Sequence, residues 1–473
     1  MEITGRKTEI ELLAKLKRGK SSAFVVIYGR RRVGKTYLIR HAFDNHFDFS
    51  LTGMANTNTV SQLANFHISI KKYAGEQAKP EPARNWLEAF EQLIWLLERS
   101  SSAMKTVFLD ELPWLDTAQS GFIPALEHFW NGWASARKDI ILVVCGSAAS
   151  WMINELINSK GGLHNRVTHR IALAPFTLKE CKEFFSTRSA AFDNYQIVLL
   201  YMVMGGIPFY LDQVDPALSA AQNIDRLCFT NEGLLRKEFD NLYHSLFQKA
   251  ERHIAIIEAL SKKTKGLTRD ELIKASKMPN GGGTTRILKE LEESYFIRRY
   301  VSYGKKERLS LYQLCDFYSL FYLKWIKDSG TLDANTWINQ LDSPRQRAWS
   351  GYAFEQVCLA HIAQIKKALG ISGIESRASS WISTDKDQGA QVDLVIDRRD
   401  QVINLCEMKF SIHSFTIDKK YAEELSTKIR VFKEQTKTRK AIYLTMVTSF
   451  GLTPNSYSQT LVQNDLSMEL LFE

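Results

Sequence analysis

The chain has 473 residues, 45% of them apolar and 24% charged, and a formal net charge of +10. This composition excludes collagen-like, low-complexity and disordered classes, and the length exceeds what one core holds, so about three folded units are expected. The basic balance suits an anionic partner, nucleic acid first.

Six cysteines, Cys145, Cys181, Cys228, Cys315, Cys358 and Cys406, are scattered with no C-x-x-C pair and no zinc-type spacing. Residues 1–7 have no apolar signal core, and the longest apolar runs, 24–28 and 140–145, are only strand-length. A reduced, cytoplasmic protein, neither secreted nor membrane-spanning and with no membrane partner, is expected.

Residues 23–28 form a short β-branched run suited to a strand buried on both faces. Gly29, Arg30, Arg31, Arg32, Val33, Gly34, Lys35 and Thr36 follow, and residues 37–43 have helical spacing. G-x-x-x-x-G-K-T between a strand and a helix is the context of a phosphate loop. There the glycines let backbone N–H groups curl round phosphates, Lys35 reaches the β- and γ-phosphates and the Thr36 hydroxyl ligates magnesium.

A second strand-like run, 107–109, ends in Asp110 and Glu111. Asp110 is expected to hold Mg2+ through its water shell and Glu111 to polarise the attacking water, although the pair would also serve as helix caps. A third buried run, 140–146, ends at Ser147, which is placed to contact the γ-phosphate or the water, to cap a helix over 148–156, or to do both. Arg166 precedes a short strand over 167–173. It is a candidate for the γ-phosphate of its own or a neighbouring subunit, which allows a homo-oligomer, or else a surface charge.

Four features in order carry a resemblance: Thr4, Gly5 and Arg6 with Glu9 and Leu12; the phosphate loop; the stretch 109–114 around Asp110; and Gly205, Gly206, Ile207 and Pro208. Together they resemble the prokaryotic archaeal-type ATPases of the AAA+/STAND group. The resemblance implies an α/β fold with a P-loop parallel sheet over 1–174, a helical lid over 175–245, ATP as the nucleotide, and Pro208 packed on the adenine. Without it, Gly205 to Pro208 reads as a helix-ending turn.

Over 246–328 a helix at 253–260, a capped helix with Thr268 and Glu271 three residues on, a turn at 279–283, a helix at 284–293 and strands at 296–301 and 308–312 look like a winged helix-turn-helix. Arg286 and Lys289 would face a major groove, and Lys305, Lys306 and Arg308 a phosphate backbone. Glu290, Glu292 and Glu293 on the reading helix repel phosphate, and a rigid connector is the other reading.

Over 346–473, an amphipathic helix beginning at Tyr352 carries Glu355. Residues 391–409 then read as a hairpin turning near Arg399 and Asp400, which puts Asp393 opposite Glu407 and Lys409 on their face. Adjacent carboxylates repel, so a bound cation is the natural reason for the pairing, with the lysine orienting water for attack on phosphate. Helix glutamate, strand aspartate and E-x-K resemble the PD-(D/E)xK nucleases, although Val392 stands where their proline often does. The resemblance implies that Glu355, Asp393 and Glu407 hold magnesium, that Lys409 is the base or water-orienting cation, and that Tyr421 and Lys428 are accessory. The alternatives are a charge-paired hairpin or a nuclease-like platform that binds DNA without cutting. The expected protein is thus an ATP- and Mg2+-dependent ATPase joined to a metal-dependent DNA nuclease domain. The alternative is an ATP-switched DNA- or protein-binding regulator.

Overall fold

The computed structural model describes residues 3–75, 80–158, 161–247, 249–329, 335–383 and 389–473. The chain forms two compact units: Met1–Ala174 with Leu246–Gln248 and Leu288–Tyr295, and Pro175–Ser245 with Lys249–Ile287 and Phe296–Glu473.

The first unit is built on five parallel strands: β1 (Ala23–Tyr28), β2 (Phe49–Thr52), β3 (Lys105–Asp110), β4 (Ile140–Gly146) and β5 (His169–Ala172), in the order β2-β3-β4-β1-β5. Every residue of β3 and β4 is buried, as central parallel strands covered on both faces require. β1 and β3 flank β4, so their carboxyl ends bring Gly29, Asp110 and Ser147 to one edge, where ligands bind in open α/β sheets. Over one face, the helices Thr59–Ala74, Trp86–Arg99 and Phe122–Gly132 bury an aromatic cluster that includes Phe66, Trp86, Phe90, Phe122 and Phe129.

The second unit contains the helices Leu178–Ser186, Asn194–Met204 and Pro208–Leu211. The expected lid segment is tied to the chain's last third within this unit. Leu178 N donates to His361 Nε2 at 3.0 Å, and the Tyr195 ring stacks on Phe410 and Phe450. Gly205 (φ 61°) ends its helix, and a Cβ on Gly206 would lie 1.8 Å from Phe176 O. The helix-ending turn is therefore present.

The helices Ala250–Ser261, Arg269–Ser276 and Gly282–Glu293 accompany a small antiparallel sheet of β6 (Leu267–Thr268), β7 (Ile297–Tyr300) and β8 (Leu311–Leu314), in the order β6-β8-β7. Thr268 and Glu271 form the expected capping box. The second hairpin strand starts later than its sequence pattern suggests, because Glu307–Leu309 form a 3-10 turn.

The last third is a mixed sheet in the order β13-β12-β11-β10-β9: β9 (Ser376–Ile382), β10 (Gln391–Arg398), β11 (Val402–Lys409), β12 (Ala441–Thr448) and β13 (Asn464–Ser467). β9, β10 and β11 are antiparallel neighbours, whereas β12 and β13 continue in parallel, and the helix Lys419–Thr436 packs Leu425, Val431 and Phe432 among the apolar residues of the sheet. The helix expected to begin at Tyr352 begins instead at Pro344. Ser343 Oγ accepts from Gln346 N at 3.2 Å, and the proline opens the first turn.

Among the described residues no helix is long and apolar enough to cross a membrane. All six cysteines are free, five of them buried.

Candidate functional site

The loop after β1 turns by leaving the usual backbone regions three times: Gly29 at φ 146°, Arg32 at φ 73° and Gly34 at φ 88°. A side chain at Gly29 would lie 2.3 Å from Leu173 O, so only glycine fits where β1 gives way to the loop. Gly34 then caps the helix Lys35–Ala42, whose first N–H groups have no helical partner and face the loop. Behind the loop, Arg6 Nη2 donates to Ala174 O at 2.7 Å and to Val33 O at 3.4 Å.

Lys35 is buried, and its ammonium donates to Gly29 O (3.0 Å), Arg30 O (3.0 Å) and Ser147 Oγ (3.1 Å). Burial lowers its pKa from the ordinary lysine value, while Glu111, Cys145 and Asp110 oppose that shift. Thr36 Oγ1 lies 3.2 and 3.0 Å from the two oxygens of Asp110. A threonine hydroxyl beside a buried carboxylate is a hard-oxygen donor set, and these two residues fit magnesium.

Glu111 follows in the left-handed region (φ 47°) and heads the short helix Leu112–Leu115 without capping it. Its carboxylate accepts from Ser147 Oγ at 2.7 Å and from Ser147 N at 3.1 Å. The helix-cap alternatives for Glu111 and Ser147 therefore do not hold. The helix after Ser147 begins at Ala149 with no side-chain cap, and six residues of π-helix follow where a regular helix was expected. Cys145, unassigned by the sequence, directs its thiol to Asp110 Oδ1 at 2.7 Å, and burial first, then the Asp110 charge, pushes that thiol's pKa up. Nothing local in the sequence signals this contact beyond the position of Cys145 at the end of β4. Arg31 and Arg32 are partly exposed, Arg30 is buried and Arg166 is exposed. Pro208 opens the helix Pro208–Leu211 of the second unit.

Residues 288–295 belong to the first unit, where Lys289 Nζ donates to Asn154 Oδ1 at 3.1 Å and Ser150 Oγ donates to Glu293 Oε2 at 2.9 Å. Lys289 is engaged there, and Arg286 is exposed.

In the second unit, β10 and β11 pair Leu394 with Cys406 and Asp397 with Ile403. That register sets Asp393 across from Glu407, with a bulge in the β9–β10 ladder between Val392 and Val395. Lys409 lies two residues on, with its ammonium 4.7 Å from the centre of the Tyr421 ring. Glu355, on the helix Pro344–Ala360, shares a cavity wall with Asp393. Burial, then the Asp393 charge, raises the Glu355 pKa; burial, then Glu407, raises that of Asp393.

Glu407 is buried, and both its oxygens accept from Lys428 Nζ at 2.8 Å. Lys428, which the resemblance makes accessory, thus contacts Glu407 directly. Its seven-residue spacing from Tyr421 on the helix Lys419–Thr436 is the signal that puts both on one face. The ammonium balances the charge of Glu407. Among the described residues no three metal-binding side chains converge closely enough to form a ready cation cage. The three acids supply suitable oxygen donors, and Lys428 would share or compete for Glu407 with a metal bound there.

Residues 3–214 match the model of an ATPase domain found predominantly in Archaea. An uncharacterized protein of Methanocaldococcus jannaschii is 24% identical over 397 residues, which cover 82% of this chain and 83% of that protein. The similarity therefore extends well beyond the ATPase domain. Among solved structures, a Walker-type ATPase of Pyrococcus abyssi superposes with a TM-score of 0.50 at 17% identity, covering 68% of this chain and 96% of that one. The ORC2 protein of Aeropyrum pernix, in ADPNP and ADP complexes, gives a TM-score of 0.41 at 16% identity, over 68% of this chain and 92% of that one.

Proposed function

We propose that the chain binds and hydrolyses ATP at the phosphate loop, with the cycle coupled to a metal-dependent, DNA-directed C-terminal domain. The observation that carries the ATPase reading is the contact of Thr36 with Asp110 beside the buried Lys35, at the carboxyl edge of a parallel sheet. In this reading Gly29, Arg30, Arg31, Arg32, Val33 and Gly34 cradle the phosphates, and Lys35 moves from its carbonyl partners to the β- and γ-phosphates. Thr36 and Asp110 hold magnesium, which screens the phosphate charge, and Glu111 orients water. Ser147 positions Glu111, Arg166 reaches a γ-phosphate in its own or a neighbouring subunit, and Pro208 packs on the base.

The remaining domains follow the same reading: core 1–174, lid 175–245, winged helix-turn-helix 246–328 and PD-(D/E)xK nuclease-like domain 346–473. The three helices followed by the β7–β8 hairpin support the third. The pairing of Asp393 with Glu407, with Lys409 on the same strand, supports the fourth. Glu355, Asp393 and Glu407 would hold the cation and Lys409 would act on the attacking water. A second reading, an ATP-switched regulator with a non-cutting platform, is favoured by the Lys428 ammonium on both oxygens of Glu407.

One assay separates the two: purified protein with plasmid, linear and single-stranded DNA, with and without ATP and with Mg2+ or Mn2+. Divalent-dependent cleavage supports the nuclease reading. ATP turnover without cleavage under any of these conditions leaves the regulator.

A further inference from the structure

Glu355 and Asp393 of the C-terminal domain are partly buried. They line a cavity of about 100 Å³ that is also lined by residues from a different part of the chain: Lys265, Arg298, Tyr300 and Gln313. Lys265 precedes β6, Arg298 and Tyr300 lie on β7, and Gln313 lies on β8. The hairpin is fixed against the acid-bearing sheet, since Tyr303 N donates to Ser380 O at 2.7 Å and the Tyr303 ring packs on Phe432.

Arg298 is held in one orientation. Its Nε and Nη2 donate to Gln313 Oε1 at 2.8 and 2.7 Å, and Nη2 also donates to Gln356, the neighbour of Glu355. Two cations and two acids thus share a cavity, yet no ion pair among the described residues joins Arg298 or Lys265 to Glu355 or Asp393. Opposite charges that line a confined space without closing on each other leave room for a ligand carrying both signs. Ser379 strengthens the point: the residue is 8% exposed and lines the same cavity, and its hydroxyl has no hydrogen-bond partner. A guanidinium, an ammonium and a hydroxyl form an anion-binding set, whereas the acids take a hard cation. The space is large enough for a phosphate group.

We infer that Arg298 and Lys265 are the phosphate-binding wall of the acid site, which is therefore composite and takes a cation-bound phosphate group such as the end of a single strand. This rests on the acids binding a divalent cation, the reading given above, and adds a role for the hairpin module that the nuclease-like domain alone would lack.

The test uses the full chain in the Lys35→Ala background, so that the phosphate loop does not dominate phosphate binding. Mn2+ is titrated first, and the component lost in Asp393→Ala is assigned to the acid site. Inorganic phosphate, a short 5′-phosphorylated single strand and the same strand without phosphate are then titrated at saturating Mn2+. Lys265→Ala, at an exposed position, and Arg298→Lys are each expected to weaken binding of both phosphate probes by about tenfold, with Mn2+ affinity retained and the unphosphorylated strand bound weakly throughout. Unchanged phosphate affinity in Lys265→Ala, or tighter binding in either variant, overturns the inference and leaves the metal site standing. A Mn2+ isotherm with no Asp393-dependent component instead removes the metal-site reading, and the inference with it.

Discussion

Ser147 Oγ donates to Glu111 Oε1 at 2.7 Å, while the same oxygen accepts from Lys35 Nζ at 3.1 Å. One hydroxyl thus connects the cation proposed to meet phosphate with the carboxylate proposed to meet water. In the proposed cycle, a phosphate that draws Lys35 toward itself would weaken one of the two bonds on this hydroxyl. Ser147→Ala removes the shorter of two tethers on Glu111 and leaves the backbone one. A hydrogen bond to a charged group contributes about 1.5–3 kcal/mol, so ATP turnover is expected to fall about tenfold or more. ATP affinity changes little, because Lys35 keeps its other partners. Steady-state turnover together with equilibrium ATP titration checks this, and a variant with wild-type turnover removes Ser147 from the mechanism.

The acids of the C-terminal domain give a separable prediction. Asp393→Ala is expected to abolish divalent-dependent DNA cleavage while ATP turnover persists, because the two sets of residues lie in different compact units. Lys409→Ala is expected to keep cation binding and slow the chemical step, which distinguishes a role in catalysis from a structural ion pair. Circular dichroism confirms the retained fold. Cleavage indifferent to Asp393 and Glu407 would place the site elsewhere.

Acid sensitivity of the first unit follows from Asp139. Its carboxylate accepts from Arg137 Nε and Nη2 at 2.8 Å each and from Lys105 Nζ at 2.9 Å, and these bonds, Arg137 first, hold its pKa well below the usual carboxylate range. With the folded pKa depressed, the stabilisation is present above the unfolded value of about 4 and is lost as pH falls below it. Asp139→Asn should therefore lower the melting temperature at neutral pH and flatten its fall below about pH 4 relative to wild type. Parallel melting curves at both pH values would show that the triad contributes nothing.

The parts of these sites that are contiguous in the chain were legible from it. A strand, eight residues and a helix suffice to specify the loop from Gly29 to Thr36, and counting back from a turn at Arg399 and Asp400 sets Asp393 against Glu407. The sequence does not encode partners delivered by closure of the fold at a readable distance. Ser147 meets Glu111 only because β3 and β4 are sheet neighbours, and Lys428 reaches Glu407 only once its helix covers β11. Arg298 and Lys265 are remote in sequence from Glu355 and Asp393 and carry no motif of their own. The early start of the Pro344 helix was readable, since serine followed by proline marks a helix N-terminus, but the amphipathic pattern used to find that helix begins later.

The central claim is that the phosphate loop binds ATP and that Glu111 serves its hydrolysis. The most direct measurement compares equilibrium binding of labelled ATP with steady-state turnover in wild type, Lys35→Ala and Glu111→Gln. Lys35→Ala is expected to lose detectable ATP binding. Glu111→Gln is expected to keep ATP bound and to slow hydrolysis by about two orders of magnitude or more, because the Thr36–Asp110 pair remains while the water-orienting carboxylate is lost. Undiminished ATP affinity in Lys35→Ala, or wild-type turnover in Glu111→Gln, would contradict the account.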